Sequence, residues 1–373
     1  MSPILPLDVI ILIAGHFDCK DIEWTRTLGC FRLASRTLRK LLDPLFFKRV
    51  YIRTARGDTA DQGQATRFLR AVENSSNARH VGGLVFNAVA DDQNLSINEI
   101  LSLLPSLRTL VFISFTDSHS LPTNAPFSLT HLIYTHTGVP IEISKFYAFL
   151  STQTSIEHLD VDIETNRRRG QAVLPSVFLT LPKLRILYGG LFHIYPVLTG
   201  SLSDLSHLWV TDFEKEIAER VIANSTNLQS ITFFRCDGMD DTMPALFSSL
   251  LSNLELLQLQ FPLQHDTLSE ALESFVQSCP STRLRGIRFH LKSRPIHYNT
   301  AQDSLTSQLL FRTFPSLEVV DFEAGVSLQY NRWYRGSESA VTIQMIEEET
   351  WWCNGVLWWQ DWVLTYRPFA LPG

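Results

Sequence analysis

Leu205-Ser206-His207-Leu208-Trp209-Val210 has apolar residues at its first, fourth and sixth places, and this spacing recurs through most of the chain. It appears at Val81/Leu84/Phe86, Leu107/Leu110/Phe112, Leu129/Leu132/Tyr134 and Ile156/Leu159/Val161. It returns at Leu184/Leu187, where Gly189 takes the last place, and at Leu228/Ile231/Phe233 and Leu254/Leu257/Leu259. Leu284/Ile287/Phe289 and Leu317/Val320/Phe322 complete ten starts, 21 to 33 residues apart. Alternation within so short a stretch is the pattern of a strand.

Helical spacing fills the intervals. Leu268, Leu272, Phe275 and Cys279 share one helix side, as do Ile217 and Val221, and Met243, Phe247 and Leu250. Ser96 with Glu99, and Thr267 with Glu270, form capping boxes. Pro105, Pro182, Pro315, Asn227 and Asn253 each precede a restart of the strand pattern. Proline cannot continue a helix, so the restarts at proline mark helix end and strand beginning. A strand and a helix per unit predict an α/β fold of leucine-rich-repeat type: a solenoid of parallel strands with outer helices. An ordinary α/β domain is the alternative, but doubly wound sheets do not restart on so uniform a template.

The 373 residues carry a net charge of −6, with no clustered basic face for a nucleic acid. Five scattered cysteines without a C-x-x-C pair predict free thiols in a reducing compartment, with no disulfide frame or zinc site. The apolar run Val9–Ala14 has no basic residue before it, and no apolar run reaches the ~20 residues that span a bilayer. A protein of cytoplasm or nucleus, without membrane contact or cofactor, is expected.

Residues 4–50 depart from the repeat. Val9, Leu12, Ile13 and Phe17 fall on one helix side after Leu5-Pro6, a second helical stretch runs through Leu28, Phe31 and Leu33, and a third runs from Thr37 to near Pro44. Three short helices are too small for a sturdy core of their own and suit packing on a partner or on the repeats. Leu5-Pro6-Leu7-Asp8-Val9-Ile10, the stretch Thr27–Arg36 and the closing Leu45-Phe46-Phe47-Lys48-Arg49-Val50 resemble an F-box. The wording is most similar to F-box proteins of mushroom-forming fungi, where the closing phenylalanine leads into a strand and irregular leucine-rich repeats. The resemblance implies that the box docks the Skp adaptor of a Skp–cullin–F-box ubiquitin ligase while the repeats hold a target protein. By position it makes Leu5, Pro6, Val9, Ile13, Leu28, Phe31 and Leu38 adaptor-facing or box-core residues. Gly15-His16-Phe17 and the lack of a tryptophan near the box end depart from the family pattern. A solenoid cap with no adaptor is the other reading of this segment.

These readings divide the chain into a helical module at 1–50, a linker or cap at 51–78, the solenoid at 79–325 and a C-terminal cap at 326–373. In the last, Trp351, Trp358 and Trp362 form a stripe at helical spacing after Glu347-Glu348-Glu349. Its expected role is to cover the final repeat.

Residues between the template's apolar places must point to the opposite, concave face. One row there reads Val111, Ile133, Asp160, Tyr188, Trp209, Thr232, Gln258, Arg288, Asp321. Two residues earlier stand His131, His158, Ile186, His207, Leu256 and Gly286. Tyr188 and Trp209 fall in adjacent copies, where strand spacing of ~4.8 Å lets the rings touch. Aromatics with a polar tip are favoured anchors, so Tyr188 and Trp209, flanked by Asp160, His207 and Phe234, are the expected protein-partner contact. A loop or the C-terminal tail covering them is the intramolecular alternative. Ile186 interrupts the histidine row, which argues against a metal site. Arg167-Arg168-Arg169-Gly170 is either a solvated loop or a grip for a phosphorylated target. No G-x-S-x-G, H-E-x-x-H, phosphate loop or nucleophilic cysteine context points to an enzyme. A leucine-rich scaffold unconnected to a ligase remains the alternative function.

Overall fold

The computed structural model describes residues 30, 35–54, 64–73, 76–88, 97–115, 121–122, 124–136, 143–163, 177–202, 204–211, 215–225, 228–237, 252–261, 282–291, 300–323, 329–344 and 367–368. Leu5, Pro6, Val9, Ile13, Leu28, Phe31, the Arg167–Arg169 run, the expected helices at 243–250 and 268–279, and the tryptophan stripe lie outside them. Two compact units form, one from residues 1–172 with 358–373, the other from 173–357.

The first unit contains α1 (Arg36–Phe47), β1 (Arg49–Thr54), α2 (Gln64–Glu73), β2 (Gly83–Ala88), α3 (Ile97–Ser102), β3 (Thr109–Phe115), β4 (His131–His136), α4 (Ile143–Ser151) and β5 (His158–Ile163). Strands β1 to β5 pair in chain order, all parallel. The second contains β6 (Ile186–Gly189), α5 (Leu191–Leu198), β7 (His207–Val210), α6 (Lys215–Asn224), β8 (Phe233–Asp237), β9 (Leu256–Phe261), β10 (Gly286–Leu291), α7 (Thr300–Thr313) and β11 (Val319–Glu323). Its strands β6 to β11 are again parallel in chain order. Two antiparallel strands, β12 (Gln329–Tyr334) and β13 (Val341–Gln344), then extend that sheet. A last short strand, β14 (Arg367–Pro368), pairs parallel to β1 in the first unit. The chain is therefore α/β, with strands that recur on the sequence template.

The template works because its apolar places point one way. Leu84, Leu110, Leu132 and Leu159 stand in register on β2 to β5, all fully buried. Burial of each such side chain contributes roughly 1.5–3 kcal/mol. The third apolar place builds an aromatic column, with Phe86 stacked on Phe112 at 5.6 Å and Phe112 edge-on to Tyr134 at 5.5 Å. Between paired parallel repeats one backbone carbonyl accepts two successive amides at the entry of nine strands. Gly82 O takes Arg108 N at 2.8 Å and Thr109 N at 3.1 Å, and Ser206 O takes Thr232 N at 2.9 Å and Phe233 N at 3.0 Å.

These contacts correct one repeat. Phe234 pairs with Leu208 and Cys236 with Val210, so the seventh copy is Ile231/Phe234/Cys236. Leu228 sits three residues earlier in a short turn, where Ile231 N donates to Leu228 O. The same turn joins Leu104 to Leu107 and Leu181 to Leu184. An apolar residue at this extra place imitates a template start, which shifts the sequence frame by three.

The expected boundary between residues 50 and 51 falls inside β1. Phe47/Val50/Ile52 is an eleventh template copy, all buried, with Val50 opposite Leu84 and Ile52 opposite Phe86. Helix α1 is capped by Ser35, whose Oγ accepts from Leu38 N at 3.1 Å. It passes through Pro44 instead of ending there, and buries Leu42, Phe46 and Phe47. The apolar face continues beyond the proline, and its burial offsets the one backbone bond proline cannot donate. Gly189 fills the imperfect fifth copy with φ 152°, a conformation that side-chain-bearing residues rarely adopt. Strand β6 ends there and α5 begins two residues later, buried along its whole length.

Gly200 follows α5 with no space for a side chain: a Cβ would stand 1.8 Å from Leu179 O. Gly200→Ala should therefore lower stability by at least about 1–3 kcal/mol. A urea titration would show an earlier midpoint at unchanged slope; an unmoved midpoint would refute this close approach.

Candidate functional site

In the second unit the register lines up one residue per strand into a continuous row. Tyr188, Trp209, Arg235, Gln258, Arg288, Asp321, Arg332 and Val341 are successive partners from β6 to β13. Tyr188 to Asp321 lie opposite the leucine core, because each is one residue from a template place, and Arg332 and Val341 continue the row through antiparallel pairing. The ends of the row are open and its centre is closed. Tyr188, Trp209 and Arg235 are half-buried and Val341 is 52% exposed, whereas Arg288 is 1% and Asp321 0% exposed.

Trp209 is held from three sides. Tyr188 meets it edge-on with centroids 4.4 Å apart, and the Arg235 guanidinium carbon lies 3.6 Å from its ring centre. Its Nε1 donates to Asp237 Oδ2 at 2.8 Å. Asp237 Oδ1 accepts from Arg235 Nε at 3.1 Å, and Arg235 reaches Gln258 Oε1 at 3.3 Å. Cation–π attraction and the charge-assisted bonds fix the indole before anything binds. A rigid aromatic with its rim open to solvent loses little entropy on contact with a partner.

The centre is a buried ion cluster. Asp321 Oδ2 accepts from Arg288 at 3.1 and 2.9 Å, and Asp321 accepts from Arg332 at 2.8 and 2.9 Å. Tyr330 lies under the Arg288 guanidinium at 4.4 Å and its hydroxyl is 2.9 Å from His290 Nδ1. Burial lowers the Arg288 pKa, opposed by the Asp321 charge. At Arg332 burial works the same way, but the Asp321 bonds and charge win, leaving its pKa raised. Burial, then the cations of Arg235 and Arg288, hold His290 well below the ordinary histidine range, so the imidazole is neutral. The cluster fastens the β12–β13 hairpin to the parallel strands.

The first unit has an equivalent row: Tyr51, Val85, Val111, Ile133 and Asp160. Val85, Val111 and Ile133 form a buried apolar cluster with Tyr51 and Ile113 packed against it. Asp160 ends the row 2% exposed, with Oδ1 lacking a hydrogen-bond partner. Burial, then the charge of Asp162, raises its pKa well above the carboxylate range. His131, two residues before Ile133, is lowered to about 4 by burial.

On the face opposite the core, then, the middle of each unit's row is buried and forms no open groove. Asp160 and His207 are buried there, His207 stacked on Phe233 at 5.4 Å and 2.8 Å from Ser206 Oγ. Phe234 lies on the core side, not beside Trp209, because of the three-residue shift, and Arg235 replaces Thr232 in the row. Tyr188 and Trp209 do come together. Leu38, from the N-terminal set, is half-buried on α1. The sequence does signal closure: Leu84-Val85-Phe86 and Leu132-Ile133-Tyr134 are unbroken apolar runs, as in strands covered on both faces. Arg235 and Asp237 were legible only with the Leu228 turn recognised. Arg332 and Tyr330 belong to an antiparallel register that the repeat template does not contain.

No three His, Cys, Asp or Glu side chains are grouped to hold a metal among the described residues. No helix among them is long and apolar enough to cross a membrane. No family model matches the chain, and no curated protein matches it. A crystal structure of a structural-genomics protein from Bacteroides fragilis is similar over 79% of this chain and 77% of its own, at 11% identity and a TM-score of 0.39.

Removing Asp321 leaves two buried guanidiniums facing each other, so Asp321→Ala should cost about 3–5 kcal/mol. Chemical denaturation would measure this, and a loss below about 1 kcal/mol would mean the cluster is open to solvent. Asp160 behaves oppositely. Its folded pKa is raised, so the fold binds the extra proton above the ordinary value of 3.8 and loses stability as pH rises from there. Asp160→Asn should raise Tm at pH 7, with the gain shrinking toward pH 4. A gain that persists undiminished at low pH contradicts the burial of a charge.

Proposed function

We propose that this chain is the substrate-recognition subunit of a Skp–cullin–F-box ubiquitin ligase: an F-box over residues 1–50 docks the adaptor, and a leucine-rich-repeat solenoid holds the target. The junction at residue 47 carries the reading. Helix α1 ends on buried Phe46 and Phe47, and two residues later the chain enters β1, the first parallel strand of the repeats. A box resembling the fungal family requires this succession of closing phenylalanine, strand and repeat. Docking energy for the adaptor would come from the apolar side of the short helices expected from the N-terminal sequence.

The target contact is the open end of the second-unit row. Trp209, pinned by Tyr188, Arg235 and Asp237, supplies an ordered aromatic edge beside a guanidinium, the residue types that dominate interface energies. The chemistry of the face is recognition. In the second-unit row Arg235 is engaged with Asp237, and Arg288 and Arg332 with Asp321, while burial holds His290 neutral.

Tagged full-length chain should co-purify a Skp adaptor and cullin, and a chain lacking residues 1–50 should lose both while keeping its target. The double change Tyr188→Ala with Trp209→Ala should lose the target and keep the adaptor. Mass spectrometry of the three preparations reads all of this at once. A full-length preparation without adaptor would replace the ligase reading with a repeat scaffold, and unchanged target capture by the double variant would remove Trp209 as anchor.

A further inference from the structure

The polar face beside Trp209 holds more hydrogen-bond donors than the chain itself uses. Register sets it out as two rows across β8, β9 and β10. Arg235, Gln258 and Arg288 form one, and Asp237, Gln260 and His290 form the other, two residues further along each strand. All six side chains share one face, because residues two apart on a strand point the same way. Arg235 directs Nε to Asp237 Oδ1 and Nη1 to Gln258 Oε1. Among the described residues its Nη2 has no partner, and neither has Gln258 Nε2. The Gln260 side chain, half-buried and in register between Asp237 and His290, makes no hydrogen bond. His290 Nε2 is buried and also unpaired.

Acceptors are what this patch lacks. Asp237 is engaged by Trp209 and Arg235, and Asp321 by Arg288 and Arg332. The charges felt at His290 are cationic: after burial, Arg235 and Arg288 lower its pKa. A guanidinium nitrogen beside two free amides suits a planar anion with two oxygens.

We propose that Arg235, Gln258 and Gln260 form a carboxylate-binding subsite beside Trp209, filled by an acidic side chain or the terminal carboxylate of the bound target. The proposal rests on the reading of Trp209 as the target anchor and adds the chemical class of the group bound next to it. Asp237 and Gln258 hold the guanidinium by its other two nitrogens, and its carbon lies 3.6 Å from the Trp209 ring centre. Arg235 is therefore in place before the anion arrives and loses little freedom on binding. The amides of Gln258 and Gln260 donate from the adjacent strand, which distinguishes a two-oxygen ligand from a lone carbonyl.

The probes are labelled peptides, amidated at the C-terminus, with a glutamate one to four residues after a tryptophan. Their glutamine counterparts and a glutamate-free set ending in a free carboxylate complete the panel. Fluorescence polarisation with the full chain should find a carboxylate peptide bound about tenfold more tightly than its uncharged counterpart. The preference should shrink as salt rises. The set that shows it tells an acidic side chain from a chain terminus. Gln260→Lys should increase the preference and Gln260→Glu should abolish it. Neither change should alter the circular dichroism spectrum, because Gln260 bonds to nothing in the fold. Equal binding of charged and uncharged peptides, no binding of either, or indifference to the charge at residue 260 would overturn the subsite and leave Trp209 as anchor. Tyr188→Ala with Trp209→Ala should weaken charged and uncharged peptides alike; affinities unchanged in that variant would remove the anchor alone.

Discussion

A shared carbonyl at the entry of nine parallel strands is the constraint from which the rest of the architecture follows. Among the described residues, Lys48, Gly82, Arg108, Thr130, Arg185, Ser206, Thr232, Glu255 and Arg285 each accept two successive amides from the next repeat, at 2.7 to 3.1 Å. Two donors on one acceptor leave no freedom to slip by a residue. Because side chains alternate, a one-residue slip would turn every leucine outward. The carbonyls thus convert a loose spacing of 21 to 34 residues into one fixed register. Loop and helix length can vary between repeats because the register is set at the strand entry, not by the length of the connection.

Side-chain rungs reinforce the same geometry. Arg108 donates to Ser128 O at 2.9 Å, Ser230 to Leu205 O at 2.6 Å, Asn253 to Gln229 O at 2.8 Å and Ser316 to Thr282 O at 2.6 Å. Gln153 performs the task from inside: its Oε1 accepts the Leu129 amide at 3.0 Å in a buried position. The buried Gln153 bond satisfies an amide that would otherwise be stranded away from water.

Register also explains how the row opposite the core can hold charge. Arg288, Asp321 and Arg332 come from three strands, yet stand side by side because the pairing places them there. Once aligned, each cation finds the carboxylate, and the desolvation of each is offset by bonds to the others. Where the row holds valines and isoleucine, as in the first unit, it closes as an apolar layer. Asp160, at the end of that layer, lacks a partner for Oδ1 and has its proton held more tightly. The end of the second-unit row stays accessible, where Tyr188 and Trp209 are ordered by each other yet only half-buried.

The sequence alone determined the strand positions in nine of ten copies, the parallel α/β class and the meeting of Tyr188 with Trp209, because period-two burial and adjacent copies depend only on local spacing. It also held the seventh copy's true frame, hidden by Leu228 occupying a turn place that any apolar residue can fill. Tertiary structure decided what lay beyond local periodicity. The hairpin brings Arg332 to Asp321 through an antiparallel register, and residues 367–368 reach β1 from the far end of the chain. It decided too that Asp160 and His207 are buried. Alternation fixes which face of a strand a side chain occupies, but whether that face meets water depends on segments distant in sequence.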